Sequence, residues 1–155
     1  MKKISYISIF IVAFIFLSSA CSVFPRDTIS SNVRYDKDNN SSSGTYTLKF
    51  TQKDESELHT IDMQEDGVVL FKFTSRVKEG NISFTLKDDQ DKIIHEESGK
   101  RISFNNSFSF QPGNYYIILD YEDTENGNVK LEMNSSSYFK YSKENDDGTK
   151  PKEDK

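Results

Sequence analysis

From Gly44 to about Asn134, apolar and polar residues alternate in short runs. Tyr46, Leu48 and Phe50 alternate with Thr45, Thr47 and Lys49, and a period of two marks a half-buried strand. Leu58 to Met63 forms a weaker run with Ile61 and Met63 expected inward. Val68 to Val77 is the most apolar. Val69, Phe71, Phe73 and Val77 share one face, and Val68 and Leu70 make the other face apolar too, which predicts a central strand. Then come Ile82, Phe84 and Leu86; Ile93 and Ile94; Ile102 with Phe104; Phe108 with Phe110; Tyr115, Ile117, Leu119 and Tyr121; and Val129, Leu131 and Met133. Turn compositions separate them: Asp66-Gly67, Glu79-Gly80-Asn81, Asp88-Asp89-Gln90-Asp91, Ser98-Gly99, Asn105-Asn106, Pro112-Gly113-Asn114 and Glu125-Asn126-Gly127-Asn128. Each offers Gly, Asn or Asp for a positive φ. About eight short strands punctuated this way predict an all-β sandwich or barrel. The stripe of Phe71 and Phe73 is expected to meet that of Tyr115, Ile117 and Leu119 inside it.

The flanks read differently. Residues 1–20 have the form of a signal peptide: Lys2 and Lys3, an apolar stretch from Ile4 to Leu17, then Ser18, Ser19 and Ala20. The stretch is short for a span, which takes ~20 residues. Residues 21–43 are serine-rich and end in the polar run Asp36 to Ser43, which predicts a flexible tether, with Val23, Phe24, Ile29 and Val33 able to dock locally and give it some order. Residues 135–155 are a polar low-complexity tail, apart from Tyr138, Phe139 and Tyr141. These three either pack along a sheet edge or form an exposed contact strip.

The only cysteine of the 155 residues, Cys21, directly follows Leu17-Ser18-Ser19-Ala20. This run resembles the lipobox of bacterial lipoproteins, with Leu17 one step further from the cysteine than the family prefers. The resemblance implies a diacylglycerol on the Cys21 thiol, cleavage before it, and a new amine open to a fatty acyl chain such as palmitate. The implied location is the extracytoplasmic face of the cell membrane, with membrane lipid as the first partner and a protein or envelope component as the second. The alternative is an ordinary secretory cleavage site and a free thiol.

Gly80-Asn81-Ile82-Ser83-Phe84-Thr85-Leu86-Lys87-Asp88 and Phe108-Ser109-Phe110-Gln111-Pro112-Gly113-Asn114-Tyr115 are similar to the second half of bacterial pre-peptidase C-terminal domains and related jelly-roll modules. The resemblance covers roughly residues 67–134 and implies the fold, not a role beside a peptidase. The expected domain is therefore an antiparallel, jelly-roll-like β-sandwich over residues 44–134. Its 91 residues include seven Phe and four Tyr, enough apolar bulk to stabilise a small sandwich without disulfides.

Composition narrows the chemistry. The chain is 34% apolar and 29% charged, with a net charge of -5. Removing residues 1–20 takes away Lys2 and Lys3 and leaves -7. Nucleic-acid binding is disfavoured, since phosphate neutralisation needs clustered Lys and Arg. No Gly-x-Ser-x-Gly elbow and no phosphate-cradling Gly loop occurs. His59 and His95 are isolated in sequence and are expected as surface strand residues. No cofactor and no enzyme activity is expected. Asp36-x-Asp38-x-Asn40 begins like a calcium loop, but Ser41 and Thr47 stand where Gly and Glu are required. Asp88, Asp89 and Asp91 in one turn, and Asp120, Glu122 and Asp123 at the end of one strand, are the remaining oxygen-rich groups; a Ca²⁺ site and a solvated turn are the competing readings. Tyr116, facing opposite to Tyr115, is either a sugar platform or packed on the second face. The expected function is a non-enzymatic binding or structural module of the envelope; the alternative is a glycan-binding or Ca²⁺-dependent accessory module.

Overall fold

The structure, a computed structural model, describes residues 28–38 and 41–144. Among these residues it has nine strands: β1 (Thr28–Asp38), β2 (Ser41–Lys53), β3 (Ser56–Met63), β4 (Gly67–Arg76), β5 (Glu79–Asp88), β6 (Ile93–Gly99), β7 (Arg101–Phe110), β8 (Gly113–Ser135) and β9 (Phe139–Lys143). All pairings are antiparallel. The 23-residue β8 organises them. Its first part lies between β3 and β5, and its second part between β2 and β4. One layer therefore runs β1-β2-β8-β4-β7, and the other β9-β3-β8-β5-β6.

Each long ribbon folds over at the same level, near residues 53–56, 76–79, 99–101 and 122–127, so the two layers face one another. Tyr46 on β2 meets His59 on β3 with ring centroids 4.6 Å apart. Phe73 on β4 meets Phe84 on β5 at 4.8 Å. Tyr46, Phe50, Phe71, Phe73, Phe84, Ile117 and Leu119 are among the fully buried side chains between the layers. The described residues form an all-β, antiparallel sandwich of the jelly-roll type; Phe71, Phe73, Ile117 and Leu119 of the expected stripes are buried in it, while Tyr115 is half-buried.

Glycine makes the fold line possible at two points. Gly80 has φ +77°, and a Cβ there would lie 2.4 Å from the carbonyl oxygens of Glu122 and Asp123. At Gly127 a Cβ would lie 2.2 Å from the Phe50 ring, so only glycine lets Phe50 cross β8. Asp123 and Asn126 also take positive φ, a region open to Asp and Asn.

Several expectations change. Glu125 to Asn128 is not a turn between strands but the bend inside β8. Asn105-Asn106 is no turn either: β7 runs straight through, with Asn106 opposite Phe71 and Asn105 opposite Lys72. The sheet also outruns the 44–134 bounds. Thr28 to Asp38, expected within the tether, pairs as β1 with β2, and residues 41–43 already belong to β2. Residues 139–143, expected within the tail, form β9 against β3. Backbone pairing, which polar residues make as well as apolar ones, extends the sheet where period-two patterning is weak. Phe139 and Tyr141 are buried: of the two readings for this segment, edge packing is the one observed.

Candidate functional site

The most unusual chemistry in the interior gathers where β9 closes on β3. Glu57 and His59 alternate with Leu58 and Thr60, so they share the inward face with Ile61 and Met63. The sandwich therefore buries a carboxylate and an imidazole. His59 is fully enclosed, not on the surface as expected. The parity of Ile61 and Met63 was the signal for it.

Glu57 is saturated with donors. Its Oε2 accepts from the Tyr46 hydroxyl at 2.6 Å and the Tyr121 hydroxyl at 3.1 Å. Its Oε1 accepts from Lys143 Nζ at 2.5 Å, with Lys53 Nζ at 3.4 Å. Lys53 also pairs with Glu55. The lysines lie over aromatic faces: Lys53 above Tyr121 at 4.9 Å, and Lys143 above Tyr46 at 5.4 Å. Burial alone raises the Glu57 pKa, but the nearby His59, the Lys143 and Tyr46 donors and the Lys53 charge outweigh it and hold the carboxyl well below the usual range.

Burial pushes the His59 pKa down against the pull of Glu57, so the ring is neutral. Its Nδ1 lies 2.7 Å from the Tyr141 hydroxyl. Its Nε2 is 3.8 Å from Glu57 Oε2 and has no hydrogen-bond partner among the described residues. Burial, reinforced by the Glu57 charge, raises the Tyr46, Tyr121 and Tyr141 hydroxyls above their usual range. The cluster thus joins one carboxylate, two ammonium groups, a neutral imidazole and three protonated phenols. With its carboxylate fully engaged, it acts as a polar pin that fastens β9 to the rest of the sandwich.

The other candidates do not converge on it. Asp88, Asp89 and Asp91 form the β5–β6 turn. The Asp88 carboxylate accepts from the backbone of Gln90 and Lys92, at 3.0 and 2.9 Å, and Asp91 pairs with Lys87 at 2.6 Å. Asp120 bonds Ser56, and the Asp123 amide donates to Asp54 at 3.1 Å. Among the described residues, no three His, Cys, Asp or Glu side chains are grouped to hold a metal ion. His95 is half-buried against Phe84, Phe104 and Phe108. Tyr116 is half-buried. Residues 1–20 and Cys21 lie outside the described residues.

No family model matches the chain, and no curated protein matches it in sequence. Similar solved structures include procruciferin, an 11S globulin from Brassica napus: 8% identity, TM-score 0.37, 66% of this chain and 22% of that one. They also include a carbohydrate binding module from Cellvibrio mixtus lichenase 5A, solved with cellotriose: 7% identity, TM-score 0.38, 72% of this chain and 90% of that one. The cupin domain of Schizosaccharomyces pombe Cnp3 is similar at 14% identity and TM-score 0.34, over 70% of this chain and 60% of that one. The chain thus spans less than a quarter of the length of the globulin. The fold assignment rests on the strand pairing itself.

Proposed function

We propose that this chain is a membrane-anchored extracytoplasmic lipoprotein, whose sandwich is a non-enzymatic binding or structural module of the cell envelope. The observation that carries this reading is Cys21, the only cysteine, set directly after Ser18-Ser19-Ala20. The structure adds a distance limit. β1 begins at Thr28, so only residues 22–27 separate the cysteine from the sheet. At ~3.3–3.6 Å per residue, the sandwich would be held within about 25 Å of the acyl chains. Two acyl chains anchor stably where one is marginal, at ~0.8 kcal/mol per buried CH₂.

Membrane fractionation of Cys21→Ala, with labelling by a palmitate analogue, tests the anchor. The variant is expected to be released or left unprocessed, and unlabelled. Normal processing with unchanged membrane retention would sink the reading. The Ca²⁺-dependent alternative gains no support from the turn, where Asp88 is committed to backbone amides and Asp91 to Lys87.

A further inference from the structure

At the fold line the surface opens into a cleft of about 510 Å³, lined by Arg76, Lys78, Lys100, Arg101, Asn126 and Asn128. No carboxylate is among its lining residues, although the chain as a whole is acidic. Arg76 stands directly opposite Arg101 across β4 and β7, and opposite Asn128 across β4 and β8. Lys49 faces Asn128 on the next strand. All four are exposed, so one row across four strands carries three cations. Like charges placed directly opposite each other destabilise a sheet. Among the described residues only Lys100 in the cleft has an ion-pair partner, Glu79 at 3.2 Å. The floor is fixed by backbone bonds: the Val77 amide donates to Lys100 O and the Lys78 amide to Glu125 O, both at 2.9 Å.

We propose that this cleft is an anion site that takes a phosphate group. Two arginines opposite each other in register, both lining the cleft, can offer guanidinium forks to a tetrahedral anion with several acceptor oxygens, and a bound anion relieves the Arg76–Arg101 repulsion. The exposed Glu122, Asp123 and Glu125 precede or flank Asn126 on β8 without lining the cleft, so recognition belongs to a group that enters it. The phosphate has two sources, a lipid headgroup or a soluble phosphate ester. Thr28, the described residue nearest to Cys21 in sequence, pairs with Phe50, and Phe50 pairs with Gly127. The cleft therefore lies at the same end of the sandwich as Thr28. The headgroup source rests on the anchored reading above; the site itself does not.

The test uses residues 22–155 made without lipid, which contain every described strand. Glycerol phosphate is titrated by calorimetry, with glycerate as the carboxylate control, and phosphatidylglycerol and phosphatidylcholine vesicles are tested by flotation. Glycerol phosphate is expected to bind better than glycerate. Arg76→Ser and Arg101→Ser should each weaken binding by about tenfold or more, while melting no earlier than wild type. Flotation with phosphatidylglycerol alone, lost in both variants, would identify the headgroup source. Glycerol phosphate binding without flotation would support the site with a soluble source. No binding of either phosphate probe, equal binding of glycerate, or variants that bind like wild type would overturn the proposal. None of these results bears on the Cys21→Ala fractionation.

Discussion

Tyr141 lies beside His59 with ring planes 3° apart and centroids 5.8 Å apart, and its hydroxyl lies 2.7 Å from the imidazole Nδ1. The two residues are 82 positions apart. Two positions along from each, Lys143 and Glu57 repeat the link between β9 and β3 as an ion pair. An edge strand of five residues is thus held by backbone pairing, by buried Phe139 and Tyr141, and by polar contacts reaching into the core.

Glu57→Gln keeps the shape and removes the charge. Lys53 and Lys143 then lose their shared carboxylate inside the protein. Breaking a buried pair from one side costs ~3–5 kcal/mol. Chemical denaturation should show a loss of that size, with β9 amides exchanging faster than those of β4. A loss below ~1 kcal/mol, in the range of exposed pairs, would mean that Glu57 is solvated.

Stability should depend on pH in a defined direction. His59 has a depressed folded pKa, so below its unfolded value of ~6.5 the unfolded chain takes up a proton that the folded one refuses, and stability falls with falling pH. Glu57, also depressed, adds to the loss below ~4.3. The three tyrosines have raised folded pKa values, so their contribution is complete below ~10 and is lost as pH rises above it. Thermal unfolding should give a plateau between about pH 7 and 9. His59→Asn should flatten the slope between about pH 5 and 6.5. An unchanged slope there in the variant would remove His59 as its cause.

Much of the sandwich is legible in the sequence because its inward residues are apolar and spaced by two. Tyr46, Leu48 and Phe50, Ile82, Phe84 and Leu86, and Val129, Leu131 and Met133 are all buried as patterned. Thr28 to Asp38 gives no such signal, yet it pairs along β2. Glu57 and His59 hide in the same way: their inward parity is readable, but their polarity suggests the opposite face. Their partners, Tyr46, Tyr121, Tyr141 and Lys143, come from three other strands. The basic cleft is equally invisible in one dimension, since Arg76, Arg101 and Asn128 become neighbours only through register.

Register can be tested on β4. Phe71 is fully buried and packs on Phe108 and Phe110, with centroids 5.5 and 6.1 Å away. Phe71→Ala should cost ~3–5 kcal/mol through lost burial and the cavity left behind. Thr74 is exposed on the other face, and Thr74→Ala should stay within about 0.5 kcal/mol of wild type. The reverse order in a denaturant series would mean that β4 is shifted by one residue and every inside position on it is wrong.

The fold line makes the last prediction. Gly80 and Gly113 both have positive φ, +77° and +145°, so alanine is strained at either. Left-handed backbone costs alanine roughly 1–2 kcal/mol. The surroundings differ. A Cβ on Gly113 meets nothing within 4 Å, whereas one on Gly80 lies 2.4 Å from two carbonyl oxygens of β8. Backbone cannot swing aside as a flexible side chain does, and this stretch of β8 already has Asp123 and Asn126 at positive φ. Gly113→Ala should therefore lower the melting temperature by several degrees, as expected for about 1–2 kcal/mol. Gly80→Ala should lower it distinctly further, by forcing β5 away from the bend of β8. Equal shifts in the two variants would mean that the layers do not approach at Gly80, and that the fold line lies elsewhere on the ribbon.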